Sequence, residues 1–208
     1  MKLILVPDIF GCTKEFNDYA NTQKLILTQT LNETVELVLV DPYQGQTFQF
    51  SSDTHAYKKF MTASGHDNYL ALVKKAIIEN KDQDICLVGF SAGASAIWRA
   101  IDGFKSDKQC QFVGFYPSQI RNYLDIKLKV DSHIIFPHKE SHFDVSDIIE
   151  TLKHYDLLKI SHTEYQHGFM NPNSKGFNES AFNEYQKHMA VTISSKKKDV
   201  QAGVTKTP

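Results

Sequence analysis

The run Ile85-Cys86-Leu87-Val88-Gly89-Phe90-Ser91-Ala92-Gly93-Ala94 restricts the fold more than any other stretch of this chain. Four apolar residues in a row read as a strand buried on both faces, as in a parallel sheet. Gly-Phe-Ser-Ala-Gly follows, and then small helix formers. A strand, a G-x-S-x-G turn and a helix in that order form a nucleophile elbow. The turn forces strained angles on Ser91, and the flanking glycines remove side chains that would strike neighbouring backbone. The hydroxyl is thereby exposed at the strand's C-terminal end. The Ala92 N–H, first in the helix, faces the place where an oxyanion would form.

The rest of the chain alternates strand and helix patterns. Strands are expected at residues 3–6, 35–40, 85–88, 111–116, 132–136 and 159–165. Helices are expected from Thr13 or Asn17 to about Leu31, over 56–63 and 68–80, from Ser91 to about Gly103, and over 147–155 and 180–192. This alternation predicts an α/β fold: a minimal doubly wound parallel sheet of about six strands with helices on both faces. Residues 1–193 are expected to form one domain. Residues 194–208, polar and aperiodic, read as a loosely held tail.

Composition narrows the partners. The formal net charge is −1, with no basic stripe, which argues against nucleic acid. Arginine occurs only at Arg99 and Arg121, too few for an arginine-rich phosphate clamp. No window has membrane-spanning length. The opening residues, broken by Pro7 and Asp8, do not read as a secretory leader. Cys12, Cys86 and Cys110 are odd in number and lack a C-x-x-C, so they read as reduced thiols of a cytoplasmic protein.

A serine nucleophile needs a base and an acid that orients the base, in chain order Ser, acid, His on this type of fold. His167, in Gln166-His167-Gly168-Phe169, falls in the loop between the last strand and the last helix. The other downstream histidines lie on strands, helices or the loop after the fifth strand. That loop supplies the acid, Glu140 or, four residues on, Asp144. His138, Glu140, His142 and Asp144 are also a dense set of metal-ligand types. However, Pro137 and the strand exit favour a loop, and no H-E-x-x-H is present, so neither metal nor cofactor is expected. The second oxyanion donor is expected in the loop after the first strand, from the Ile9 or Phe10 amide. Asp8 puts a carboxylate near this developing charge. Phe10, Tyr43, His55, Tyr57, Phe60, Tyr116, Gln119 and Arg121 are expected at the pocket rim. Of these, Phe10, Tyr43, Tyr116 and Arg121, with Asp8, are the candidate substrate contacts.

Together these pieces resemble the dienelactone hydrolase family of α/β hydrolases. The resemblance is carried by Pro7-Asp8-Ile9-Phe10-Gly11, Val40-Asp41-Pro42-Tyr43, the elbow, Gly114-Phe115-Tyr116-Pro117, and His167-Gly168-Phe169 with Asn171-Pro172. It implies that Asp8 interacts with the resting nucleophile and that the Ile9 N–H is an oxyanion donor. Ser91 stands where dienelactone hydrolases proper have cysteine, which suits hydrolysis of a small carboxylic ester, thioester or lactone. Glu140 stands where an aspartate is usual. The extra N-terminal strands common in the superfamily are not expected. The competing expectation is a non-catalytic ligand-binding or interaction module on the same scaffold.

Overall fold

The computed structural model describes residues 1–187, 189 and 193. Among these, six parallel strands form one sheet in the order β2-β1-β3-β4-β5-β6. They are β1 (Lys2–Val6), β2 (Glu36–Leu39), β3 (Ile85–Phe90), β4 (Cys110–Phe115), β5 (Asp131–Phe136) and β6 (Leu158–His162). Position in the sheet follows from composition. Central β3 is buried at every residue, and β1 at all but its first. Edge strands β2 and β6 have no fully buried residue and carry Glu36, Lys159 and His162.

Alternation along each strand divides the core. Leu3, Leu5, Cys86, Val88 and Val113 point to one face, where they pack against Tyr19, Ala20 and Leu27 of α1 (Lys14–Leu31) and Ala181 of the closing helix. This helix, α6, begins at residue 179. Ile4, Val6, Leu87, Phe112 and Ile134 point to the other face. That face is covered by α2 (Asp53–Ala63), α3 (Gly65–Asn80), α4 (Ala92–Ala100) and α5 (Val145–Leu152).

Most elements lie where the sequence predicts them, and the differences have local causes. The first helix starts from Thr13, whose hydroxyl accepts from the Phe16 N–H, and not from Asn17. Ser52 caps α2 through the His55 N–H, so that helix begins three residues earlier than its apolar pattern. The expected strand at 159–165 ends at His162, because the Thr163 N–H and hydroxyl both turn back to the Phe136 carbonyl. A 3₁₀ turn over Ser118–Asn122 was not legible in the sequence. The expected tail, 194–208, lies outside the described residues. No helix among the described residues is long and apolar enough to cross a membrane.

The chain runs from β1 outward to β2 and then returns past β1 to β3. The connections after β1 and β3 therefore leave on opposite faces, opening a crevice at the C-terminal strand ends. The loop Pro7–Gly11 and the β3–α4 turn meet there.

Candidate active site

Ser91 occupies that turn with φ 47 and ψ −110, a conformation unusual for a residue with a side chain. Its N–H is anchored to the Phe115 carbonyl (2.9 Å), and its carbonyl accepts from Ser95 Oγ one turn on (3.0 Å). Gly93 lets α4 approach the first loop: a Cβ there would strike the Val6 and Pro7 carbonyls. Only glycine permits that contact.

His167 follows β6 in a compact turn. Gly168 (φ +85) takes the left-handed conformation, and the Asn171 N–H closes onto its carbonyl (2.9 Å). The imidazole Nε2 lies 2.9 Å from Ser91 Oγ, and Nδ1 lies 2.6 Å from Glu140 Oε1. The Glu140 side chain is only 7% exposed and that of His167 34%. The two loops are tied where the His138 N–H donates to the Tyr165 carbonyl (2.7 Å). Ser91, His167 and Glu140 thus form a continuous hydrogen-bonded chain from hydroxyl to imidazole to carboxylate.

This geometry decides between the two acids. Asp144 is the N-cap of α5, its carboxylate accepting from the Ser146 N–H (2.8 Å), and it does not reach His167. The structure thus pairs Glu140, not Asp144, with the His167 imidazole.

Asp8 also differs from expectation. Its carboxylate accepts from the Phe10 N–H (3.0 Å) and from Asn171 Nδ2 (2.7 Å), which joins the first loop to the histidine loop. Ser91 Oγ bonds instead to His167. Asp8 is 6% exposed, and this burial pushes its pKa up against those two hydrogen bonds, which pull it down. Asn171 is visible within His-Gly-Phe-x-Asn-Pro, but no local pattern marks it as the partner of Asp8, 163 residues away.

Three of the expected rim residues are walls. Tyr43 is buried, and its hydroxyl donates to the Ile9 carbonyl (2.5 Å), which supports the loop from beneath. Phe60 is wholly buried against Tyr69. Phe10 is buried and meets Phe50 edge to face. Tyr116 is fully buried with its ring centroid 4.9 Å from that of His167, so it backs the imidazole. Its φ of 40 is a second strained position at the site. Arg121 donates to the Ser118 carbonyl and lies 5.5 Å from the Phe143 ring, beside the loop that carries Glu140. His55 sits in the first turn of α2 beside Ser51, and Tyr57 is 44% exposed on that helix. Gln119 borders a cavity lined by Ser95.

The Ile9 and Ala92 N–H groups have no acceptor among the described residues. The His138–Asp144 segment forms no cluster of three or more metal-ligand side chains among the described residues.

A six-stranded parallel sheet with a strained serine elbow at its switch point defines an α/β hydrolase. The chain belongs to the Dienelactone hydrolase family, whose model matches residues 2–195. It is 27% identical over 182 residues to the uncharacterized protein YczH of Bacillus subtilis (strain 168), covering 86% of each chain. Among solved structures, it resembles the dienelactone hydrolase-like promiscuous phosphotriesterase P91 from metagenomic libraries (TM-score 0.60, 14% identity, 94% of this chain and 85% of that one). It also resembles Est1E from Butyrivibrio proteoclasticus (TM-score 0.55, 12% identity, 93% of this chain and 88% of that one). At these identities the structural likeness establishes the fold.

Proposed function

We propose that this hydrolase cleaves a small carboxylic ester, thioester or lactone through an acyl-enzyme on Ser91. The observation that carries the reading is the Ser91–His167–Glu140 chain, with contacts of 2.9 and 2.6 Å, built on a strained elbow. Nε2 of His167 takes the Ser91 proton as Oγ attacks the carbonyl carbon. The Glu140 carboxylate accepts a hydrogen bond from Nδ1–H, so Nε2 is free to act as base, and it stabilises the imidazolium that forms. The Ile9 and Ala92 amides donate to the oxyanion. The imidazolium then protonates the leaving alcohol or thiol, which in a lactone is the ring oxygen that stays tethered to the acyl chain. Water, deprotonated by the same imidazole, releases the acid and restores Ser91.

In this reading Asp8 is a positioning residue. It holds the turn that aims the Ile9 amide through its bonds to the Phe10 N–H and Asn171 Nδ2.

The test is labelling with a fluorophosphonate probe and mapping of the adduct by mass spectrometry. Selective modification of Ser91, abolished in His167→Ala, is the expected result. It would be followed by turnover of 4-nitrophenyl esters. An unlabelled Ser91 in folded protein would return the scaffold to the binding-module reading.

A further inference from the structure

Asn171 is bonded through both its backbone groups and both ends of its side-chain amide, and each contact bears on the turn that holds His167. Its N–H donates to the Gly168 carbonyl (2.9 Å), its carbonyl accepts from the Ser174 N–H (2.9 Å), and Oδ1 accepts from the Asn173 N–H (2.8 Å). These three bonds close residues 168–174 into one compact unit. The unit packs directly on the histidine. A Cβ on Gly168 would lie 2.2 Å from Ser174 Oγ, and one on Gly176 would lie 1.9 Å from the His167 carbonyl oxygen. A shift of this turn therefore carries the His167 backbone with it.

The fourth group, Nδ2, reaches out of the unit. It donates to Asp8 Oδ2 at 2.7 Å, while Oδ1 of the same carboxylate accepts from the Phe10 N–H at 3.0 Å. The amide has one orientation that satisfies both of its partners, since one is an N–H and the other a carboxylate. Asp8 is buried, and a short bond to a buried carboxylate is among the stronger polar contacts. The neighbouring ties are weaker. Asn173 Nδ2 reaches Glu15 Oε2 (3.1 Å), but both residues are exposed, and Ser174 Oγ reaches Asp53 Oδ2 at a longer 3.3 Å. The bonds of the imidazole itself, to Ser91 and Glu140, end on side chains that can rotate. The Asn171 bridge ends instead on the loop that carries the Ile9 N–H.

We propose that Asn171 is a positioning residue for the hydrolysis: through Asp8 it holds His167 in register with the oxyanion loop. The inference rests on the serine-hydrolase reading and adds to it a residue outside the Ser91–His167–Glu140 chain.

Turnover of 4-nitrophenyl acetate separates positioning from general support. Asn171→Ala should lower kcat by about 10–100-fold with KM within about threefold, because a displaced base fails in the transition state more than in substrate binding. Asn173→Ala, which removes the exposed tie, should leave kcat within about twofold. Asn171→Asp adds a pH signature. It keeps Oδ1 for the Asn173 N–H and replaces the donor to Asp8 by a second carboxylate oxygen. Two carboxylates at this separation repel when both are ionised, so a proton shared between them restores the bridge at low pH and its loss breaks the bridge. The titratable groups facing the pair are His167, Asp53, Glu15 and the phenols of Tyr43, Tyr69 and Tyr116. All are kept in the variant, so kcat is read as its ratio to wild type at each pH. That ratio should rise by about tenfold from pH 9 to pH 5.5. A turn that served stability alone would lower the melting temperature and leave kcat of Asn171→Ala at the wild-type value, and that result overturns the proposal. So does a ratio that is flat with pH.

A second readout needs no turnover. The Nδ1–H of His167, 2.6 Å from Glu140 Oε1, should give a proton resonance far downfield, identified by its absence in His167→Ala. The signal should persist in Ser91→Ala, and adding Asn171→Ala to that background should shift or abolish it. This response in a protein that hydrolyses no ester would keep Asn171 as the residue that holds His167 and sink the hydrolase reading. Ester turnover with kcat and resonance unmoved by Asn171→Ala would do the reverse.

Discussion

Glu140 reaches His167 Nδ1 and Asp144 caps a helix, although both sit in one short loop. Their substitutions should therefore part cleanly. Glu140→Gln keeps the volume but can set the imidazole in the wrong tautomer, so kcat should fall by about 10²–10⁴. Asp144→Ala should keep kcat within about threefold, and the loss of the cap should cost about 1 kcal/mol in urea denaturation. Asp8 gives a pH signature. Its pKa is raised in the folded state, so between its unfolded and folded values the unfolded chain ionises first. Stability contributed at this position is greatest at low pH and falls as pH rises through the folded pKa. Relative to Asp8→Asn, the wild type should lose stability from pH 4 to pH 7, measured by urea denaturation at each pH. A pH-independent difference would contradict burial as the dominant cause.

Among the elements, the β3–α4 unit and the first loop depend on backbone contact. The side of α4 at Gly93 lies directly on the Val6 and Pro7 carbonyls. Gly93→Ala should displace that loop and with it the Ile9 amide. The expected result is loss of esterase activity by about 10²-fold or more, with a lowered melting temperature. Retained activity would mean that the loop can shift without cost. The first loop is held from three sides, by Tyr43 on the Ile9 carbonyl, Asn171 on Asp8, and the Tyr69 hydroxyl shared between the Pro7 and Val40 carbonyls (2.8 and 3.1 Å). These three residues come from the β2 exit, the histidine loop and α3, so the loop's shape is a tertiary property.

At the scale of the whole molecule, the sheet order gathers the chemistry. Ser91, Glu140 and His167 are spread over 76 residues, and they meet because β3, β5 and β6 run parallel and deliver their following loops to one end. Tyr69→Phe tests how far the α3 side supports that end. It removes a buried donor from two carbonyls and should cost about 1–3 kcal/mol in urea unfolding. A change below about 0.5 kcal/mol would mean that water or neighbouring groups take over both carbonyls.

The sequence by itself determined the strand and helix alternation, the elbow, the histidine and the short list of acids. These are encoded by local patterns: continuous apolar runs, glycine where backbone must approach, and polar residues at strand exits. It left Glu140 and Asp144 open because choosing between them depends on which carboxylate the loop turns inward, a matter of packing against His167. It ranked Phe60 and Tyr43 with the rim because an aromatic side chain looks the same in a wall and in a pocket. The bond between Asn171 and Asp8 was likewise out of reach of the sequence. The two residues are remote in the chain, and only the packed structure brings the histidine turn onto the first loop.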